Sequence, residues 1–149
     1  MRRRTLLSLA ALVLMPAVVH AQVAIGLGGG TGVGSRGGGS GGGHANASLE
    51  LKLPVLPGVR GDAYFMDVPN SSASTALVVS AVVSAPTPAV TPYLIGGWGT
   101  YGIGGSSTLT GWNLGAGVRA SVMLGPSFFL EVRRHERFAR DIVTLGLRF

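Results

Sequence analysis

The sequence has no cysteine. That excludes disulfide staples, thiolate metal sites and a lipidated cysteine anchor, and it suits an exported chain that needs no cross-links. Charge is scarce as well, at 12% of residues against 46% hydrophobic. Long apolar runs are missing after residue 21. A membrane-spanning helix needs about 20 consecutive apolar residues, so the hydrophobic content has to be spread by alternation. The formal charge of +6 points to nucleic acid only at first sight. Arg2, Arg3 and Arg4 fall in a segment expected to be removed, and without them nine basic residues face six acidic ones, a formal +3. That is too small an excess for a DNA- or RNA-binding face.

What is present begins with a secretory signal at residues 1–21. Arg2–Arg4 make the positive region, and Leu6 to Val19 make a 14-residue apolar stretch. Val19, His20 and Ala21 form the cleavage site, so cleavage after Ala21 leaves a mature domain of residues 22–149. The apolar stretch is short for a membrane anchor.

From residue 22 on, the pattern is alternation with period two, which in a strand sends successive side chains to opposite faces. It is cleanest at 45–53 and recurs at the end, where the chain stops on Phe149. Val143, Leu145, Leu147 and Phe149 share one parity, and Ile142, Thr144, Gly146 and Arg148 the other. Eight strands are expected, at 22–29, 45–53, 59–66, 75–85, 90–101, 112–124, 127–135 and 141–149. The connectors sort by length. Those at 30–44, 67–74, 102–111 and 136–140 average longer than those at 54–58, 86–89 and 125–126. Antiparallel strands put these two sets at opposite ends. Long loops at one end and tight turns at the other fit a closed transmembrane barrel better than a Greek-key sandwich.

Charges sort by parity too. Glu50, Lys52, Arg60, Asp62, Arg119, Glu131, Arg133 and Arg148 share the face opposite the apolar one. A lipid-facing Arg or Lys at mid-bilayer would cost about 2–4 kcal/mol, so these eight are expected in the lumen as an ion-paired polar network. Inward glycines on strands one, five and six would make room for Arg and Tyr. Arg134 is the exception on the outer parity, at a strand end where it can reach the interface. The aromatics Phe65, Trp98 and Trp112 would form an outer girdle on the lipid face, with Phe149 and Phe128 at the other rim.

The chain resembles the small outer-membrane β-barrel family of the OmpA/OmpX and opacity-protein type. The resemblance rests on the signal peptide, on Pro92-Tyr93-Leu94-Ile95-Gly96-Gly97-Trp98-Gly99, on Gly111-Trp112-Asn113-Leu114-Gly115-Ala116-Gly117, and on Leu145-Gly146-Leu147-Arg148-Phe149. It implies an all-β, eight-stranded, antiparallel up-and-down barrel in the bacterial outer membrane, monomeric and without a cofactor. It implies outer-membrane lipid and lipopolysaccharide as surroundings, and recognition of the final strand (Val143, Leu145, Leu147, Phe149) by the barrel-assembly machinery. The implied role is structural or surface-interacting, adhesin- or opacity-like, with an extracellular ligand at the loops. A small-solute or ion channel is the second reading, and a lipid A-modifying enzyme the third.

Other motifs carry less. Gly32, Gly34 and Gly37 match G-x-G-x-x-G, but more glycines follow and cannot open a stable helix, so the phosphate-binding context fails. Gly29 and Gly34 have P-loop spacing, but Ser35 stands where Lys is required. The stretch reads as a flexible surface loop. His44, in a loop, and His135, at a strand end, are too few for a metal site. Lipid A deacylase barrels place Ser two residues from His, whereas Arg137 holds that position after His135. Arg134, Arg137 and Arg140 cluster at the last long-side loop. Lipopolysaccharide phosphates are one reading of that cluster, since Arg pairs well with phosphate. A solvated, self-paired loop is the other.

Overall fold

The structure is a computed structural model that describes residues 22–33, 42–53, 57–66, 74–85, 87, 89–105, 107–121, 125–137 and 141–149. The expected signal segment, Gly34, Gly37 and Arg140 lie outside those residues.

Alternation becomes eight strands: β1 Gln22–Val33, β2 Gly43–Lys52, β3 Gly58–Met66, β4 Ser74–Ser84, β5 Val90–Ile103, β6 Leu109–Ser121, β7 Ser127–His135 and β8 Asp141–Arg148. Each pairs antiparallel with its neighbours in sequence, and β1 pairs with β8 to close the barrel. Closure leaves no sheet edge, so every strand has a hydrogen-bonded neighbour on both sides. The ladder is staggered. β1 meets β2 from Gln22 to Thr31 but meets β8 from Gly26 to Val33. Closing a tilted sheet requires such an offset.

Strands run further into the loops than the alternation indicates. β1 continues through Gly30 to Val33 because Thr144 to Asp141 of β8 pair with it there. β2 begins at Gly43, so His44 is a strand residue and not a loop residue. β6 begins at Leu109, paired with Tyr101. The connectors at the two ends therefore differ less in length than the sequence reading expects. The longest remain at 34–42 and 67–73, both at the same end. Backbone pairing from two flanking strands outweighs the weak strand propensity of glycine in these stretches.

Among the described residues the ladder has one register shift, near that end. The β4–β5 register shifts between Thr75 and Ala76, which pair with Ile103 and Tyr101 and leave Gly102 unopposed. Gly102 has φ of 77°, the left-handed conformation a glycine bulge uses.

Parity decides burial. Val23, Ile25, Leu27, Leu77, Val79, Leu94, Leu114, Leu130 and Leu145 all lie exposed on the outer wall. Val78, Val82, Tyr93, Ile95, Phe129 and most of the charged groups point inward and are buried. A soluble sandwich would bury the apolar parity between two sheets, which a single closed sheet with a polar interior does not do.

Candidate functional site

The lumen is the most chemically dense part of the molecule, and its residues fall into three tiers. The central tier is a closed ring of alternating charge. Arg60 Nε lies 2.8 Å from Asp62 Oδ1, and Arg133 Nη1 lies 2.9 Å from Asp62 Oδ2. Arg133 Nη2 and Arg60 Nη1 lie 2.7 and 2.9 Å from the two oxygens of Glu131. Tyr93 donates its hydroxyl to Glu131 Oε2 at 2.8 Å. Each charge thus meets two of opposite sign, the condition under which buried ions are tolerated. Arg60 and Asp62 lie on β3, and Glu131 and Arg133 on β7, which stand on opposite walls of the eight-strand ring. The ring of charges crosses the full width of the lumen.

The second tier lies toward the short turns. Arg119 of β6 donates to Glu50 Oε2 of β2 at 2.7 Å, again across the barrel. Arg148 of β8 donates through Nη1 to the same oxygen. The Arg119 guanidinium also covers the Tyr93 ring, 4.2 Å from its centroid, a cation–π contact. Lys52 shares this parity but is exposed at the end of β2. It is a rim residue and not part of the enclosed network, because β2 ends there and its side chain reaches solvent.

The third tier lies toward the loops. His44 Nε2 and Thr144 Oγ1 share a hydrogen bond of 2.9 Å, and Tyr101 and His135 Nδ1 one of 3.0 Å. The Tyr64 ring stands edge-on to His135, with centroids 5.2 Å apart. Sequence reasoning put His44 in a loop and did not bring the two histidines together. Their inward parity is the signal that was available, and the length of β2 is what hid it.

Glycines make room for the large side chains. A Cβ at Gly117 would stand 2.5 Å from the Tyr93 ring, and one at Gly115 3.0 Å from Arg133 Cβ. Gly26, Gly28 and Gly146 instead flank Phe129, which sequence reasoning did not single out. These three glycines lie on β1 and β8, so the closing seam is also where the lumen takes its bulkiest apolar ring.

On the outside, Phe65, Trp98 and Trp112 are exposed, and Trp98 stands directly opposite Trp112 across the β5–β6 ladder. Phe128 and Phe149 are exposed toward the turn end. Leu145 and Phe149 also face outward, while Val143 and Leu147 are half-buried. At the loop rim Arg134 makes a two-point pair with Asp141, at 2.8 and 3.1 Å. Arg137 Nε donates to Thr110 O at 2.7 Å. Glu136 N donates to Trp112 O, and Trp112 N donates to the Glu136 carboxylate, which pins the start of this loop to β6. Among the described residues no cluster of three or more His, Cys, Asp or Glu has a metal-binding arrangement.

No protein-family model matches the chain, and no curated protein matches it. Solved structures do. A de novo designed transmembrane β-barrel superposes with a TM-score of 0.68 at 13% identity, over 85% of this chain and 92% of that one. Neisserial surface protein A (NspA) gives 0.65 at 16%, over 86% and 97%. Ail, the attachment invasion locus protein of Yersinia pestis, gives 0.54 at 17%, over 87% and 97%. The match to a designed barrel shows how far shape alone produces such likeness. The chain has the fold of the small eight-stranded outer-membrane β-barrels.

Proposed function

We propose that this chain is a bacterial outer-membrane barrel with a structural or surface-interacting role, adhesin- or opacity-like, and that it catalyses no reaction. The observation that carries this reading is the pairing of an apolar outer wall with a lumen crossed by ion pairs. Exposed apolar side chains cover the wall from Val23 on β1 to Leu145 on β8, far more than the few hundred Å² a soluble surface carries in one patch. Hydrocarbon is the solvent that suits such a wall. Inside, Arg60, Asp62, Glu131 and Arg133 bridge opposite walls, and Tyr64 fills space beside Arg133. With the lumen occupied, the loop end is the part left to meet other molecules. NspA is a Neisserial surface protein and Ail the attachment invasion locus protein of Yersinia pestis, and a surface role agrees with both.

In this reading the long-loop end faces outward, Phe65, Trp98 and Trp112 anchor the outer interface, and β8 engages the barrel-assembly machinery. Arg134 and Arg137, with Arg140 beside them in sequence, meet lipopolysaccharide phosphate at the outer leaflet. Ail has been solved with the heparin analogue sucrose octasulfate, a polyanion, and anion contact by rim arginines is the comparable chemistry. Charge reversal of Arg134 and Arg137 together should reduce both lipopolysaccharide co-purification and adhesion of producing cells to host cells. Unchanged values for both would refute this role for the rim.

The polar side chains that recur along the lumen from Arg148 to His44 favour one second reading, a small-ion channel. It predicts discrete conductance steps in a planar bilayer. The surface-protein reading predicts none until the central ion pairs are broken.

A further inference from the structure

The turn end of the lumen carries more positive side-chain charge than its own carboxylates balance. In the central tier two arginines face two carboxylates. Toward the turns, Arg119 and Arg148 share Glu50 as their one Asp or Glu partner among the described residues, and Lys52 stands exposed at the rim. Arg119 and Arg148 even converge on one oxygen, Glu50 Oε2. Both are more than nine-tenths buried, at 6% and 7% exposure. Arg119 has the Tyr93 ring as a second partner. Arg148 Nη2 is buried and has no hydrogen-bond partner among the described residues.

Among the described residues no Asp or Glu besides Glu50 forms an ion pair with Arg119 or Arg148. Lys52 adds a further cation within electrostatic reach of Arg119, Arg148 and Glu50. The turns at 53–57, 85–89 and 122–126 contain no Asp or Glu in their sequence. An enclosed cation without a counter-charge is strongly unfavourable. A guanidinium nitrogen without a hydrogen-bond partner is a ready donor to another anion.

We infer that the turn-end mouth of the barrel binds a phosphate-type oxyanion, held by Arg148 Nη2 and by Lys52 at the rim. Phosphate oxygens match the guanidinium fork, and Lys52 provides a mobile point charge on the solvent side. The same chemistry reaches this mouth from two sources, free phosphate in solution or the phosphate of an anionic lipid headgroup in the adjacent leaflet.

The test uses the folded chain in zwitterionic detergent. Inorganic phosphate is titrated at constant ionic strength against chloride, and the thermal unfolding midpoint is read. A saturable rise with phosphate and not with chloride is expected. Lys52→Gln and Arg148→Gln should each raise the half-saturating concentration about tenfold, the loss of one charge-assisted contact. A parallel titration uses vesicles of phosphatidylglycerol against vesicles of phosphatidylcholine. A response to phosphatidylglycerol alone, weakened by the same variants, identifies the headgroup as the source and supports the site. Since Arg148→Gln can disturb folding through Glu50, the exposed Lys52→Gln variant carries the test on its own, with the heat-shift of the band on a gel as its folding control. No saturable response to either probe, or a Lys52→Gln variant that responds like the parent, overturns the inference.

Discussion

Ile25 and Phe149 hold each other through both backbone groups, with Ile25 N donating to Phe149 O at 3.0 Å and Phe149 N donating to Ile25 O at 2.8 Å. They extend the β1–β8 ladder one step beyond Arg148 and lie on the seam that makes the sheet a barrel. In hydrocarbon an unpaired backbone group costs several kcal/mol, so this seam is where closure is most easily lost. Ile25→Pro removes one of the two donors and should sharply lower the fraction of chains that fold to the compact, heat-shiftable form. Ile25→Ala keeps the donor and should leave that fraction close to the parent's. Equal yields from both variants would mean that the seam is not needed for closure.

The central ring of charge gives a second prediction. Removing one partner of a buried pair typically costs about 3–5 kcal/mol, because the other charge is left enclosed. Asp62→Asn and Glu131→Gln should lower barrel stability on that scale, as read by urea unfolding in lipid vesicles. Asp141→Asn breaks the exposed pair with Arg134 and should change stability little, since exposed pairs contribute little. A ring that is only decorative would give three similar, small effects.

The outer wall gives a third. Val79 and Val23 are equally exposed, at 61% each, but Val79 sits midway along β4 and Val23 near the turn end of β1. If hydrocarbon covers the wall, Val79→Arg should cost about 2–4 kcal/mol and Val23→Arg about 0–1 kcal/mol. The readout is again unfolding in vesicles. On a wall facing water the two substitutions would be equally mild.

The packing of Phe129 gives a fourth. A Cβ at Gly28 would stand 2.6 Å from Asn46 Oδ1, 2.8 Å from Thr144 Cγ2 and 3.0 Å from the Phe129 ring. Gly28→Ala should therefore destabilise by about 1–3 kcal/mol through overpacking. Its penalty should shrink when Phe129→Ala is made alongside, a coupling that a double-mutant cycle measures. Purely additive effects would show that the ring is not what confines Gly28.

Much of the architecture was legible in the residues because the period of a strand is two and its charges obey that period. Arg60, Asp62, Glu131 and Arg133 could be placed on the inner face from parity alone. Which of them would meet could not, because Arg60 and Glu131 stand 71 residues apart and their contact depends on the stagger of the closed sheet. Element ends were the least readable feature. Gly30, Gly43 and Gly102 carry no side-chain pattern, so nothing local shows that neighbouring strands capture them. That is why His44 read as a loop residue. Nor does sequence show that Lys52 ends its strand outside the enclosed network while Glu50, two residues earlier, lies within it. Arg134 was readable as an outlier on the outer parity, whereas its two-point pair with Asp141 needed the register of β7 against β8.

The most direct test of the account is the gel mobility of the isolated outer-membrane fraction, boiled and unboiled in detergent. A closed barrel with a lipid-facing wall predicts that the protein is in that fraction and that its unboiled band moves to a different position on boiling. Recovery from the soluble periplasmic fraction, with one band unchanged by heat, would contradict it, and the functional reading would fall with it.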